Sequence, residues 1–195
     1  LLSSVTDPYQ PVEASLCLTH ACLKALANAA NPLAPEVSIL TKSALVARDI
    51  PVLRDLPGSE VGMTVTTLDD DLARQIEPGA SAPSARLKAL EQLASQPIKT
   101  WVFISPVLPH YGDSPAALAA VMKRAREAGV SRIGVDRLNL YPAAMAGLAR
   151  VSHPEAVQAL RAYRSSPQDY LDRLRSTISE AAEAADIVIP VQAFF

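Results

Sequence analysis

The sequence predicts an α/β fold of the partial (β/α) barrel kind, and three observations carry that prediction. Short apolar segments rich in β-branched residues alternate with longer segments of helical periodicity. The order is strand then helix throughout, which makes parallel β/α units. Small polar residues recur where each strand segment ends, so their side chains converge on one rim, the place where open α/β sheets and barrels alike bind ligands. An open doubly wound sheet satisfies the same alternation; the partial barrel is the expected form.

The predicted strands are 37–41, 61–66, 100–105, 132–138 and 187–191. A helix is expected from about Val12, because Leu16, Leu23, Ala27 and Ala30 fall on one face. Another follows Pro83-Ser84, where Leu87, Leu90 and Leu93 repeat at helical spacing and Pro suits the first turn. Segments 116–128, 155–163 and 170–185 are also helical in pattern. The Pro-bearing stretches 31–35 and 77–83 are loops. Leu1-Leu2-Ser3-Ser4 has the look of a strand's end, so the barrel is expected to be truncated on its N-terminal side. One domain is expected over 1–195, a barrel to about 142 and a helical extension over about 143–195.

At 195 residues and 49% hydrophobic, the chain can bury one sizeable core. A formal charge of -2 supplies no general attraction to nucleic acid. The first half is acidic and the second basic, too slightly to name a partner. The basic and aromatic residues of 161–175 alternate with Ser, Gln and Asp and are expected on exposed helix faces. Two cysteines are too few for a disulfide framework, and no secretory signal is present, so a cytoplasmic setting is expected. Charged or helix-breaking residues interrupt every apolar run before membrane-spanning length, so no membrane span is expected.

No nucleophile elbow, P-loop, dinucleotide fingerprint or zinc-protease helix occurs. Cys17 and Cys22 sit five residues apart, and on one helix the second thiol is turned by roughly 140° from the first, so they do not easily share an ion. Glu13, Cys17 and His20 form a stripe flanking the apolar face and are expected to be solvated or half-buried. His110 and His153 lie in loops with no paired ligand nearby in sequence, as surface histidines do. Asp69-Asp70-Asp71 is read as a helix start, where acidic groups meet the positive end of the helix dipole. Lys42 stands at a strand's C-terminal end, where a lone ammonium would suit a carboxylate or phosphate ligand, or simply reach solvent. Glu77 and Arg86 bracket the loop 78–83, as a salt bridge closing it or as substrate contacts.

Four stretches in order, TDPYQPVE at 6–13, LTKSALVARDIPVL at 40–53, VTTLDDDLARQIEPGASAPSARLKAL at 65–90 and WVFISPVLP at 101–109, resemble one family, and VDRLNLYP at 135–142 continues the likeness more loosely. The chain resembles the radical S-adenosylmethionine (SAM) proteins of the spore photoproduct lyase-like, DNA repair photolyase-like group. The resemblance implies a partial (β/α)6 TIM-like barrel, truncated here at its N-terminal side, and a lyase-type enzyme. In such enzymes a [4Fe-4S] cluster and SAM yield a 5'-deoxyadenosyl radical, with a reducing electron donor and a substrate that includes damaged DNA. The cluster needs three cysteines in a CxxxCxxC loop, which this sequence lacks; they are expected upstream of Leu1, with no metal ligands in this chain, which alone is expected to be inactive.

By position, Lys42 matches a lysine that pairs with the SAM carboxylate, and Thr66 a serine that contacts SAM. Ser105 matches a small residue near the adenosyl part, while Thr6 and Asp7 match a Ser-Asp pair near the amino group of methionine. Ser4 stands where the lyase has the cysteine that returns hydrogen to the product radical, which implies a different substrate or termination step. Tyr111, Asn139 and Tyr141, on late rim loops, are expected on the substrate side. Two other readings remain: a cluster-free aldolase or isomerase using Lys42 as Schiff-base former with Asp7 or Asp136, and a non-catalytic binding domain.

Overall fold

The computed structural model of the chain describes residue 2 and residues 6–28, 36–151 and 153–195. Ser4, Ala30 and the loop 31–35 lie outside the described residues. Five parallel strands form one sheet: β1 (Ser38–Thr41), β2 (Glu60–Thr64), β3 (Lys99–Val107), β4 (Arg132–Arg137) and β5 (Val191–Ala193). Their order in space is their order in sequence. Leu2 adds a parallel bridge to Ile39 beyond β1. A doubly wound sheet must reverse its strand order to cover both faces with helices. An unreversed order of right-handed crossovers keeps them on one face, which is the winding of a barrel.

The pleat sorts side chains by parity. Ile39, Val61, Met63, Val65, Val102, Ile104, Ile133 and Val135 are fully or almost fully buried and face the helices. Against them pack α5 (Pro83–Ala94), through Leu87, Leu90 and Leu93, and α6 (Pro115–Glu127), through Leu118, Val121 and Met122. α9 (Pro167–Ala184) buries Tyr170, Leu174 and Ile178 in the same core. The other face of the sheet is aromatic and thin. Trp101 and Phe103 have ring centroids 5.6 Å apart, and Phe194 meets Phe103 edge-on at the same distance. These rings lie over glycines of the neighbouring strands, Gly62 under Trp101 and Gly134 under Phe103.

The Asp69-Asp70-Asp71 run does start a helix, α4 (Asp70–Ile76): Asp69 caps it, accepting from the backbone N–H of Asp71 and Leu72. Two expectations need correction. The helix from Val12 is two helices, α1 (Glu13–Leu16) and α2 (Leu18–Asn28), because Cys17 adopts a left-handed conformation with φ 51°. The break shifts the helical phase, leaving Leu16 57% exposed while Leu23 is buried and Glu13 is only 4% exposed. The last strand starts at Val191, after Pro190, which has no N–H to give a ladder, and Val188 is exposed. In the connection after β1, a 3-10 turn (Ala44–Asp49) leads into α3 (Ile50–Arg54). The segment after 142 opens with an additional helix, α7 (Pro142–Ala149), followed by α8 (Pro154–Ser165).

A Cβ at Gly62 would stand 2.3 Å from Trp101 Cε2, and the indole is held from outside by the Arg132 guanidinium, 4.0 Å from the ring. Gly62→Ala is therefore expected to destabilise the chain by about 1–3 kcal/mol, the usual cost of overpacking. Urea unfolding checks this, and an unchanged midpoint would contradict the packing described.

Candidate functional site

Parallel strands deliver their C-terminal ends to one edge, and there Thr41-Lys42, Thr64 to Thr66, Ser105-Pro106 and Asp136 come together. Asp7 organises one corner. Its Oδ1 accepts from Thr41 Oγ1 (2.6 Å) and the Tyr9 amide (2.8 Å), and its Oδ2 accepts from the Lys42 amide (2.7 Å). The carboxylate thus clamps the turn after β1 to the segment that precedes α1. Thr6 is exposed beside it. Thr66 is buried, and Ser105 is half-buried and joined to Pro106 by a cis peptide.

Lys42 is not a lone ammonium. Its Nζ donates to Glu77 Oε1, while Glu77 Oε2 accepts from Arg86 Nη2 at 3.0 Å. Arg86, 1% exposed, also donates to the carbonyls of Ser81 (2.7 Å) and Thr64 (2.8 Å). The salt bridge closing loop 77–83 is therefore present, and it extends to Lys42. Burial pushes the Glu77 carboxyl up, but the Lys42 and Arg86 charges outweigh that and hold it below its ordinary range. Above this group lies a cavity of about 220 Å³ whose polar wall includes Lys42, Thr66 and Glu77. Its apolar wall includes Pro106, Leu138 and Leu148 of α7.

The remaining predicted residues are placed differently. Tyr111 donates its hydroxyl to the Val151 carbonyl, fastening the loop after β3 to the end of α7. Asn139 is half-buried, its carbonyl accepting from the Tyr141 amide at 2.8 Å, and Tyr141 is 69% exposed. Asp136 stands on the rim with one hydrogen bond among the described residues, from the Arg137 amide at 2.8 Å. The Arg137 side chain turns away to the Tyr163 hydroxyl, 3.2 Å. Burial pushes the Asp136 carboxyl up, outweighing the Arg137 amide and the Arg137 charge, which lower it.

Two constellations escaped sequence reasoning. Cys17 and His20 are half-buried, as expected, but Glu13 is buried, and the stripe belongs to a charge cluster. Glu13 accepts from Arg48 (2.7 Å) and from the amides of Thr19 and His20 (3.0 and 3.2 Å). Asp49, fully buried, accepts from Arg48, from the Tyr9 hydroxyl (3.0 Å) and has His20 Nδ1 at 2.8 Å. Arg48 and Asp49 sit in a 3-10 turn whose periodicity gave no signal; the left-handed Cys17 brings Glu13 and His20 onto it. The second is the pairing of His110 with His153, whose rings stack at 5.8 Å with Glu155 nearby. Their separation in sequence, 43 positions by number, hid it.

The fold is that of the partial radical SAM barrel of spore photoproduct lyase. A mutant of that enzyme with bound AdoMet and dinucleoside spore photoproduct matches with a TM-score of 0.68 at 14% sequence identity, covering 97% of this chain and 59% of that one. Another mutant matches at 0.64 and 12%, covering 92% and 57%. An uncharacterized protein of Mycobacterium tuberculosis is 33% identical over 190 residues, 91% of this chain and 54% of its own length. One of Methanocaldococcus jannaschii is 39% identical over 112 residues, 57% of this chain and 41% of its own. The chain thus spans about half the length of the curated relatives it matches. No family model matches it. No helix among the described residues is long and apolar enough to cross a membrane.

Two variants probe the rim's electrostatics. Glu77→Ala leaves the Arg86 charge buried without its counter-ion and is expected to cost about 3 kcal/mol at neutral pH. Because the Glu77 pKa is depressed in the folded state, its contribution is present above the ordinary carboxylate range and lost as pH falls through the folded value. Urea titrations across the acid limb should show a shallower loss in the variant than in the parent. Asp136→Asn has the opposite sign: its raised pKa makes the ionised carboxylate a cost at neutral pH, so the variant should be more stable there and equal to the parent in acid, where both side chains are neutral.

Proposed function

We propose that this chain is the AdoMet-binding portion of a radical SAM enzyme. The single observation that carries the reading is the cavity at the rim of a radical SAM-type barrel, lined on its polar side by the Lys42 ammonium, the Glu77 carboxylate and the Thr66 hydroxyl. Lys42 suits the carboxylate of the methionine part, Thr66 and Ser105 offer hydrogen bonds beside it, and the corner built by Thr6 and Asp7 suits its amino group. Lys42, with a side chain 35% exposed, can turn toward a ligand while Glu77 keeps Arg86.

The thiols here do not fit an iron-sulfur cluster, which needs three cysteinate ligands in one loop. Cys17 lies at the break between α1 and α2, with Arg48 Nη1 3.6 Å from its sulfur, and Cys22 is exposed on α2. The cluster ligands are assigned to sequence outside these residues. When bound, AdoMet would supply the 5'-deoxyadenosyl group; the part of this chain is to hold it and exclude water. The dinucleoside held by the structural neighbour favours a nucleic-acid lesion as the substrate class, and the rim's Tyr111, Asn139 and Tyr141 as its approach.

Equilibrium dialysis of labelled AdoMet against the 195-residue chain should show saturable binding. Lys42→Met should weaken it roughly 10- to 100-fold, the worth of a charge-assisted hydrogen bond, with the circular dichroism spectrum unchanged. The whole polypeptide, reconstituted anaerobically with iron and sulfide, should release 5'-deoxyadenosine. Failure of both measurements rejects the proposal, and borohydride trapping of a carbonyl compound on Lys42 would replace it with the Schiff-base reading.

A further inference from the structure

We propose that His110, His153 and Glu155 form a binding site for a borderline divalent transition-metal ion of the Zn2+ and Co2+ kind, distinct from the cavity at Lys42. The three side chains come from two elements. His110 lies in the loop between β3 and α6, and His153 and Glu155 stand at the start of α8. Their ligand atoms all lie within 4.8 Å of one another, and His110 Nε2 is 3.8 Å from Glu155 Oε2. Tetrahedral zinc with bonds near 2.0–2.2 Å places its ligands about 3.3 Å apart. Rotation of exposed side chains by about an ångström closes that difference, with no backbone movement. Two imidazoles and a carboxylate match the ligand preference of zinc and its neighbours, and leave a coordination position open to water.

The backbone holds the ligands ready. His110 adopts a positive φ of 74°, an uncommon state for a residue with a Cβ, and its amide donates to Asp113 Oδ1 at 2.9 Å. That turn presents the imidazole to α8. The Tyr111 ring packs against the side of His110 at 5.0 Å, and the His153 ring stacks parallel to it at 6°. His153 occupies the cap position of α8 yet makes no side-chain capping bond, so its nitrogens are not spent on the helix. The ion would fasten the β3–α6 loop to α8, beside the apolar cavity of about 230 Å³ lined by Pro109, Tyr111, Leu148 and Val157. Leu148 also lines the rim cavity, so the ion would stiffen the wall that the two share.

The test is isothermal titration of the 195-residue chain with Zn2+. One ion is expected to bind with a dissociation constant in the micromolar range. His110→Ala and His153→Ala should each weaken it at least tenfold, Glu155→Gln should weaken it less, and a Cys17→Ser, Cys22→Ser double variant should bind as the parent does. The Co2+ form should show ligand-field bands without thiolate charge transfer. The proposal is overturned by absence of saturable binding below the millimolar range, by binding that survives both histidine variants, or by a charge-transfer band that the double cysteine variant abolishes. Each variant's thermal unfolding in the absence of metal should match the parent's, since all three side chains are exposed; a large loss there would assign them to packing instead.

Discussion

The rim depends on one buried cation. Arg86 emerges from the first turn of α5 into a space that is almost closed to water and donates to the end of β2, to the 77–83 loop and to Glu77. A guanidinium with 1% exposure persists only if its donors are used, since an unpaired charge in that position would cost several kcal/mol. Its fixed fork therefore dictates where the Ser81 and Thr64 carbonyls lie and which way the Glu77 carboxylate faces. The Ser81 amide in turn donates to the Lys42 carbonyl at 3.1 Å, and the Ser81 hydroxyl accepts from the Ala44 amide at 2.9 Å. The ends of β1 and β2 are thereby held at fixed separation by contacts that start from one side chain.

A second buried charge system holds the other side of the same corner. Tyr9 donates its amide to Asp7 and its hydroxyl to Asp49, so the ring spans from the rim to the cluster of Asp49, Arg48, Glu13 and His20. Burial, then the Asp49 charge, push the Tyr9 hydroxyl far above its ordinary pKa, and it stays a donor. Burial alone would raise the Asp49 carboxyl, but Arg48, His20 and Tyr9 lower it further than burial raises it. The Asp7 clamp is consequently anchored through Tyr9 in a hydrogen-bonded network, which fixes the turn carrying Thr41 and Lys42.

What the sequence disclosed follows from the range of the interactions involved. β2, β3 and β4 were legible because alternate positions 61, 63, 65, 102, 104, 133 and 135 are apolar, and α5 because Leu87, Leu90 and Leu93 repeat at helical spacing next to a proline start. The strand ends followed from parallel topology, which put Thr41, Thr66, Ser105 and Asp136 on one edge. The α1–α2 break was not legible, because nothing in Leu16-Cys17-Leu18 signals a left-handed residue; the conformation is imposed by Glu13 and His20 reaching Arg48 and Asp49. Lys42 was placed correctly on the rim but its partner was not, since Glu77 lies 35 positions away and the pairing is set by Arg86. The stacked His110 and His153 are likewise a tertiary contact with no local trace.

The pairing of Lys42 bears on how the cavity could accept an anion. Its amide is held by Asp7, so the backbone is fixed while the side chain is not, and the ammonium is the most exposed member of the Lys42, Glu77, Arg86 series. The half-buried Lys42–Glu77 pair lies closer to solvent than the Glu77–Arg86 contact, whose Arg86 is buried and which is the costlier one to break. Exchange of Glu77 for an incoming carboxylate at Lys42 therefore sacrifices the weak contact and keeps the strong one. Glu77 would repel such a carboxylate unless the ammonium stood between them. Across the rim Asp136 is a half-buried carboxyl whose burial outweighs the Arg137 charge, so it is protonated more readily than an ordinary carboxylate.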